Sequence, residues 1–238
     1  MSLGEIFSDA IKYPFSDLTK FFMVGILALL AGLSSIVTAF AIDNSAITAL
    51  STIIGLIFAI ILAGYCVDVI KKGIENSDEI PAIDLMKNFV NGIKSLIIGI
   101  VYFIIPIIIV LILAVITGAI GAGLDELLAA LGIIGIIAII IFILFAIFEI
   151  IALARFADTG DLGAALSIGE VFEDVKKIGF AKIIGFIILA LLIIIIAGII
   201  SSVLSLIPYI GILIATLLVG AFVALFYYKA LGLLYAEA

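Results

Sequence analysis

The chain carries six apolar stretches, at about 18–42, 45–70, 95–120, 127–153, 181–206 and 209–233. Each is long enough to cross a bilayer core, which takes about 20 apolar residues at a rise of about 1.5 Å per residue. An unpaired backbone group in lipid costs several kcal/mol, so each stretch must be helical. The composition leaves no other solvent: 67% of the residues are hydrophobic and 12% charged, where a soluble domain has roughly 45–50% and about 25%. The expected fold class is all-α, an integral membrane bundle of six transmembrane helices in a single membrane domain over 1–238.

Asp43-Asn44, the segment 121–126 and Pro208 mark three short turns on one side, which pairs the helices as three hairpins. All 11 Lys and Arg residues fall at or beyond helix ends on the other side, the one that holds both termini. The positive-inside rule therefore predicts a multi-pass protein of the cell membrane with N- and C-termini in the cytoplasm. The first apolar run begins near Leu18 and continues as a full span, so a cleavable signal peptide is not expected.

A polar phrase recurs in this apolar chain. GEIFSDAIKYP stands at 4–14 and GEVFEDVKKIG at 169–179, each with Ser three residues before Glu, at Ser2 and Ser167. Ser and Glu at that spacing form a capping box at a helix start. Leu3, Ile6, Phe7 and Ala10 share one face, matched by Ile168, Val171, Phe172 and Val175. Glu5, Ser8, Asp9 and Lys12 share the other, matched by Glu170, Glu173, Asp174 and Lys177. This spacing predicts a short amphipathic helix in the membrane interface. AIDLMKNF at 82–89 repeats the order more weakly, with Pro81 in place of the capping Ser. The chain thus reads as three repeat units, 2–80, 81–166 and 167–238, each a short cytoplasmic interfacial helix followed by a hairpin. Units of two spans share one orientation, so the repeat would be a parallel, pseudo-three-fold one about the membrane normal.

Ser51, Gly55, Ala59 and Ala63 place a small residue at every fourth position of the second span, and Thr216, Gly220 and Ala224 do so in the sixth. Small residues at that spacing let another helix backbone approach closely, in the bundle or in self-association. Pro106 is expected to kink the third span, as curvature or as a gate.

Polar groups inside a membrane are expensive and mark sites. Glu149 is the embedded carboxylate, near the cytoplasmic edge of the fourth span. It is read either as half of an edge ion pair with Arg155, Lys94 or Lys182, or as a proton or substrate site. Asp68 precedes Lys72 by four residues, which a helical i,i+4 ion pair explains. Ser34, Ser35, Thr38, Thr48, Thr52, Ser201, Ser202 and Ser205 sit toward the outer halves of their spans. They either line a wet vestibule or bond back to their own helices. The chain has no His and one Cys, Cys66, expected to be a small buried hydrophobe. That excludes His-based triads and His-bearing zinc sites. No catalytic residue, cofactor or metal is expected, and Asp158-Thr159-Gly160-Asp161 reads as a helix-ending turn. A net charge of −7 without a basic block argues against nucleic acid as a partner.

AGYCVDVIKKGIENSDEIPAIDLMKNFVNGIKSLI at 63–97 is similar to the central signature of an archaeal polytopic membrane family, domain of unknown function 4013. LARFADTGDLGAALSIGEVFEDVKKIGFAKIIGFIIL at 153–189 and the terminal FYYKALGLLYAEA resemble it too. The resemblance implies an integral membrane protein, from a methanogenic archaeon, with no established activity and no catalytic residues to transfer. Two functions are carried forward. One is a non-enzymatic module that packs membrane lipids and docks other membrane subunits or a second copy. The other is a transporter or channel for a small solute or lipid, with a site near Glu149.

Overall fold

The computed structural model describes the backbone of residues 1–116 and 124–238 and the side chains of 1–116 and 135–238. Of the turn expected at 121–126, residues 121–123 lie outside the described residues, as does the outer end of the third span, while 124–126 already belong to α6. The elements are α1 (Leu3–Lys12), a 3-10 turn (Tyr13–Phe15), α2 (Leu18–Ala31), α3 (Leu33–Ala39), α4 (Ser45–Ile74) and α5 (Leu85–Ile116). They continue as α6 (Leu124–Thr159), α7 (Leu162–Leu166), α8 (Ile168–Ile178), α9 (Phe180–Leu204), α10 (Ile210–Ile214), a π-helical turn (Ala215–Gly220) and α11 (Ala221–Tyr235). Among the described residues there is no strand.

Five helical segments are long and apolar enough to cross a membrane: Ser45–Ile74, Leu85–Ile116, Gly135–Thr159, Phe180–Leu204 and Ile210–Tyr235. A sixth counts when Leu3–Phe15 and Leu18–Ala31, bent by 87° to each other, are taken as one. The bend lays α1 across α2, and the apolar run expected as the first span is divided between α2 and α3. That run is broken at Gly32, the residue type with the weakest hold on helical geometry short of proline. Asn44 then caps α4, its side chain accepting from the Ala46 and Ile47 amides.

α4 is the hub, packed against α2, α3, α5, α6 and α11. Its closest crossings use glycine. A Cβ at Gly64 would stand 1.7 Å from the Asn88 carbonyl oxygen, and one at Gly92 would stand 1.9 Å from that of Ile60. A second crossing pairs Gly73 with Gly232, where a Cβ on either would meet the other's Cα at 2.7 Å. Lipid tails are as apolar as Leu, so in a membrane this backbone contact replaces hydrophobic driving force.

Burial is concentrated at the end that bears the lysines. There α4 buries Gly64 to Ile70, α6 buries Ile151, Ala152 and Phe156, and α11 buries Leu225 to Phe226 and Lys229 to Tyr235. α1 adds Ile6, Phe7 and Ala10 to that core, with the Phe7 ring 5.5 Å from Phe186 and 5.8 Å from Phe226. Beyond it, α5, α6 and α9 leave Ile104, Leu111, Ile139, Ile143, Ile195 and Ile199 exposed.

The short helices depart from the expected pattern in three ways. Ser2 and Glu5 form the capping box, but Ser167 makes no side-chain cap, because Glu170 is drawn to Arg155 instead. α8 is also turned relative to α1: Asp174 is buried and Phe172 exposed, because Asp174 accepts hydrogen bonds from groups inside. Third, the middle unit has no separate short helix. Asp84 caps α5, accepting from the Lys87 amide while its own amide donates to Asn88, and α5 runs unbroken into the span. The outer units break after their short helices, at Pro14 to Asp17 and at Gly179, whose φ of 94° favours glycine. No such residue interrupts 85–97.

Candidate functional site

Asp68, 8% exposed on α4, does not pair with Lys72. It accepts from Lys87 Nζ at 2.7 Å and from Asn88 Nδ2 at 2.8 Å, both on α5. The Gly64–Gly92 crossing causes this, because it brings the first turn of α5 against the turn of α4 that carries Asp68. Lys72 turns to Glu75 at 3.2 Å and Glu79 at 3.6 Å.

Arg155 does not meet Glu149 either. Its guanidinium donates to Asp174 at 2.6 Å and to Glu170, joining α6 to α8. Asp174 is 3% exposed and also accepts from the Tyr235 hydroxyl at 2.8 Å, which brings in α11. The other expected cations are committed as well. Lys182 donates to Glu237 and, at 2.6 Å, to the Met1 carbonyl, while Lys94 lies 5.5 Å above the Phe156 ring. Burial alone would raise the Glu237 carboxyl, but the Lys182 hydrogen bond and the amino group of Met1, 2.6 Å away, hold it below its usual value.

A feature with no counterpart in the sequence reading is the linker between α4 and α5. Five successive carbonyls each accept a side-chain donor: Ser77 from Lys229 at 2.7 Å, Asp78 from Ser16 at 3.0 Å, Glu79 from Tyr13 at 3.0 Å, Ile80 from Lys20 at 2.6 Å and Pro81 from Tyr65 at 3.2 Å. The donors come from three separate stretches of chain, at 13–20, Tyr65 and Lys229. Lys229 is 1% exposed and also faces the Tyr13 ring at 4.9 Å. An extended linker has no ladder for its carbonyls, and buried ones need partners. The signal available in sequence was Lys229 itself, a lysine inside an apolar run.

Glu149 lines a crevice of about 420 Å³ among α4, α5, α6 and α11, with Ala63, Ser95, Gly99, Phe103, Leu153 and Tyr228. Among the described residues nothing donates a hydrogen bond to its carboxylate or pairs with it. The outer-half hydroxyls do not reach this crevice. Thr38, Thr48, Thr52, Ser202 and Ser205 donate to carbonyls four residues earlier in their own helices, and Ser34 meets Thr52 at 3.2 Å.

The small-residue stripes divide. Ser51 is buried, and a Cβ at Gly55 would meet the Ala31 carbonyl at 3.1 Å, so both face the α2–α3 break. Ala59 is exposed and Ala63 faces the Glu149 crevice. Gly220 lies against Ala28 and Thr216 against Gly32, while Ala224 is half-buried in the second core with Tyr65 and Leu225. Pro106 sits inside α5 without ending it, and Cys66 is buried as expected. Residues 158–161 form the expected turn, with Gly160 at φ 71° and Asp161 capping α7. No cluster of three acids or thiols able to hold a metal occurs among the described residues.

Over residues 47–209 the chain matches the model of a family described as protein of unknown function (DUF4013). No curated protein and no solved structure matches it.

Proposed function

The chain belongs to the DUF4013 family, and from that premise we propose that it is a non-enzymatic membrane module that packs lipid around a rigid polar collar. The supporting observation is the asymmetry of burial. One end is laced by buried polar contacts, and beyond it α5, α6 and α9 present Ile and Leu outward. Apolar faces exposed in that way must be covered by lipid tails or by a partner's helices. Extraction into native nanodiscs followed by lipid mass spectrometry tests it. The expected result is a retained lipid population distinct from the bulk, whose removal lowers the Tm. Bulk composition with an unchanged Tm rejects the reading.

The lysines support a cytoplasmic location for the collar and both termini. In a cysteine-labelling assay on intact cells, Ser8→Cys should stay silent to an impermeant reagent and Ser45→Cys should react. The reverse pattern overturns the orientation. The three-unit repeat is supported by α1 and α8, which precede hairpins in matching positions, and is weakened by the missing helix in the middle unit.

The unpartnered Glu149 favours a second reading, a transporter or channel for a small solute or lipid. A reconstituted Glu149→Gln protein would then lose flux that the wild type shows.

A further inference from the structure

The cations that the sequence offers to Glu149 are held by other groups, and so is Lys87. Arg155 is held by Glu170 and Asp174, Lys87 by Asp68, Lys182 by Glu237, and Lys94 lies over Phe156. Glu149 stands six residues from Arg155, roughly 9 Å along the helix toward the apolar side. A carboxylate there, facing apolar walls, stays charged only beside a counter-charge, which the described residues do not provide. The crevice offers what would complete such a pair. The Tyr228 and Phe103 rings line it, and aromatic faces attract cations. The Tyr228 hydroxyl has no hydrogen-bond partner among the described residues. The Ser95 hydroxyl already donates to the Asn91 carbonyl at 2.9 Å, which leaves it free to accept.

Other ligand classes fit less well. An anion would face Glu149 directly. A hard metal ion takes six or more oxygen ligands, and the crevice supplies one carboxylate. A neutral apolar ligand would leave the carboxylate unpaired. The space, about 420 Å³, lies within the range of small-molecule sites.

We propose that the crevice binds an organic ammonium group, with Glu149 as its counter-charge and the Tyr228 and Phe103 rings as its walls. The site sharpens the second reading above and is independent of lipid packing. The ammonium can belong to a free amine or to a lipid headgroup.

The test is calorimetry on the full chain in phosphatidylglycerol nanodiscs, with benzyltrimethylammonium and its neutral isostere neopentylbenzene as probes. The wild type should bind the ammonium saturably and the isostere not at all. Glu149→Gln should weaken binding by about tenfold or more. Gly99→Leu supplies a second variant: a Cβ there meets nothing within 4 Å, so the longer side chain fills the crevice while the carboxylate stays. It should abolish binding too. Adding phosphatidylethanolamine to the nanodisc separates the sources. Competition with the probe assigns the site to a lipid headgroup, and an unchanged affinity assigns it to free amines. Equal binding of the isostere, unchanged affinity in both variants, or no saturable binding overturns the proposal. Binding without ammonium flux in liposomes removes the transport reading and leaves the site standing.

Discussion

Arg155 and Glu149 lie on the same helix and respond oppositely to loss of charge. Arg155→Met takes from Asp174, 3% exposed, its closer cation at 2.6 Å and leaves only Lys177 at 3.6 Å. Breaking a buried pair in this way costs about 3–5 kcal/mol, so thermal unfolding in nanodiscs should show a clear fall in Tm. Glu149→Gln removes a charge that nothing in the described structure balances, and without ligand its Tm should be unchanged or higher. Glu237 adds a pH dependence. Its carboxyl is held below the ordinary value by Lys182 and the Met1 amino group. A depressed acid gives stability that is full above the unfolded pKa, about 4.3, and is lost as pH falls through the lower folded value. Hydrogen-exchange protection at residues 235–238, taken relative to the intrinsic rate at each pH, should therefore fall below about pH 4 and stay level between about pH 5 and 7. At this scale the sequence showed which residues carry charge but not their partners. Asp68 and Arg155 were assigned neighbours along the chain, Lys72 and Glu149, while their true partners stand 15 to 20 residues away, brought close by tertiary crossings.

Among the elements, glycine contacts decide which helices touch. Gly64→Ala would set a Cβ 1.7 Å from the Asn88 carbonyl, a backbone atom that cannot swing aside. Overpacking costs about 1–3 kcal/mol, occasionally more, and separating α4 from α5 would also pull Asp68 from Lys87. Gly99→Ala in α5 meets open space and should be neutral or stabilising by up to about 1 kcal/mol from helix propensity. Comparing the two Tm values checks the assignment. The spans were legible because twenty-residue apolar runs leave little choice in lipid. The breaks were not: Gly32 and the π-helical turn at Ala215–Gly220 follow from packing on α2, which periodicity does not encode. The stripe ending at Ala63 was half legible, since spacing marks a small face and not what covers it.

For the whole molecule, the collar and the exposed apolar faces follow from one cause. Charged side chains can be satisfied in many ways near water, so specific polar contacts accumulate there. In lipid only shape remains, and long Ile-rich faces on α5 and α9 give shape little to grip. Lys229 ties α11 to the linker across 152 residues of sequence, to the Ser77 carbonyl. Lys229→Met keeps the apolar stem and leaves the Ser77 carbonyl with no side-chain donor, at a cost of about 1–3 kcal/mol. Its Tm should fall, and protease sensitivity should rise within 75–84.

The gripped linker also sets an order of events during synthesis. Tyr13, Ser16, Lys20 and Tyr65 have already left the ribosome when residues 77–81 emerge, so four of the five carbonyls can be claimed early. The fifth waits for α11, which is made more than 130 residues after the linker. A chain halted before Ala221 should therefore carry a linker that proteases still cut, and extension through Tyr235 should close it. Lys229 in that sense is a completion mark, by which the first half of the protein registers that the second has arrived.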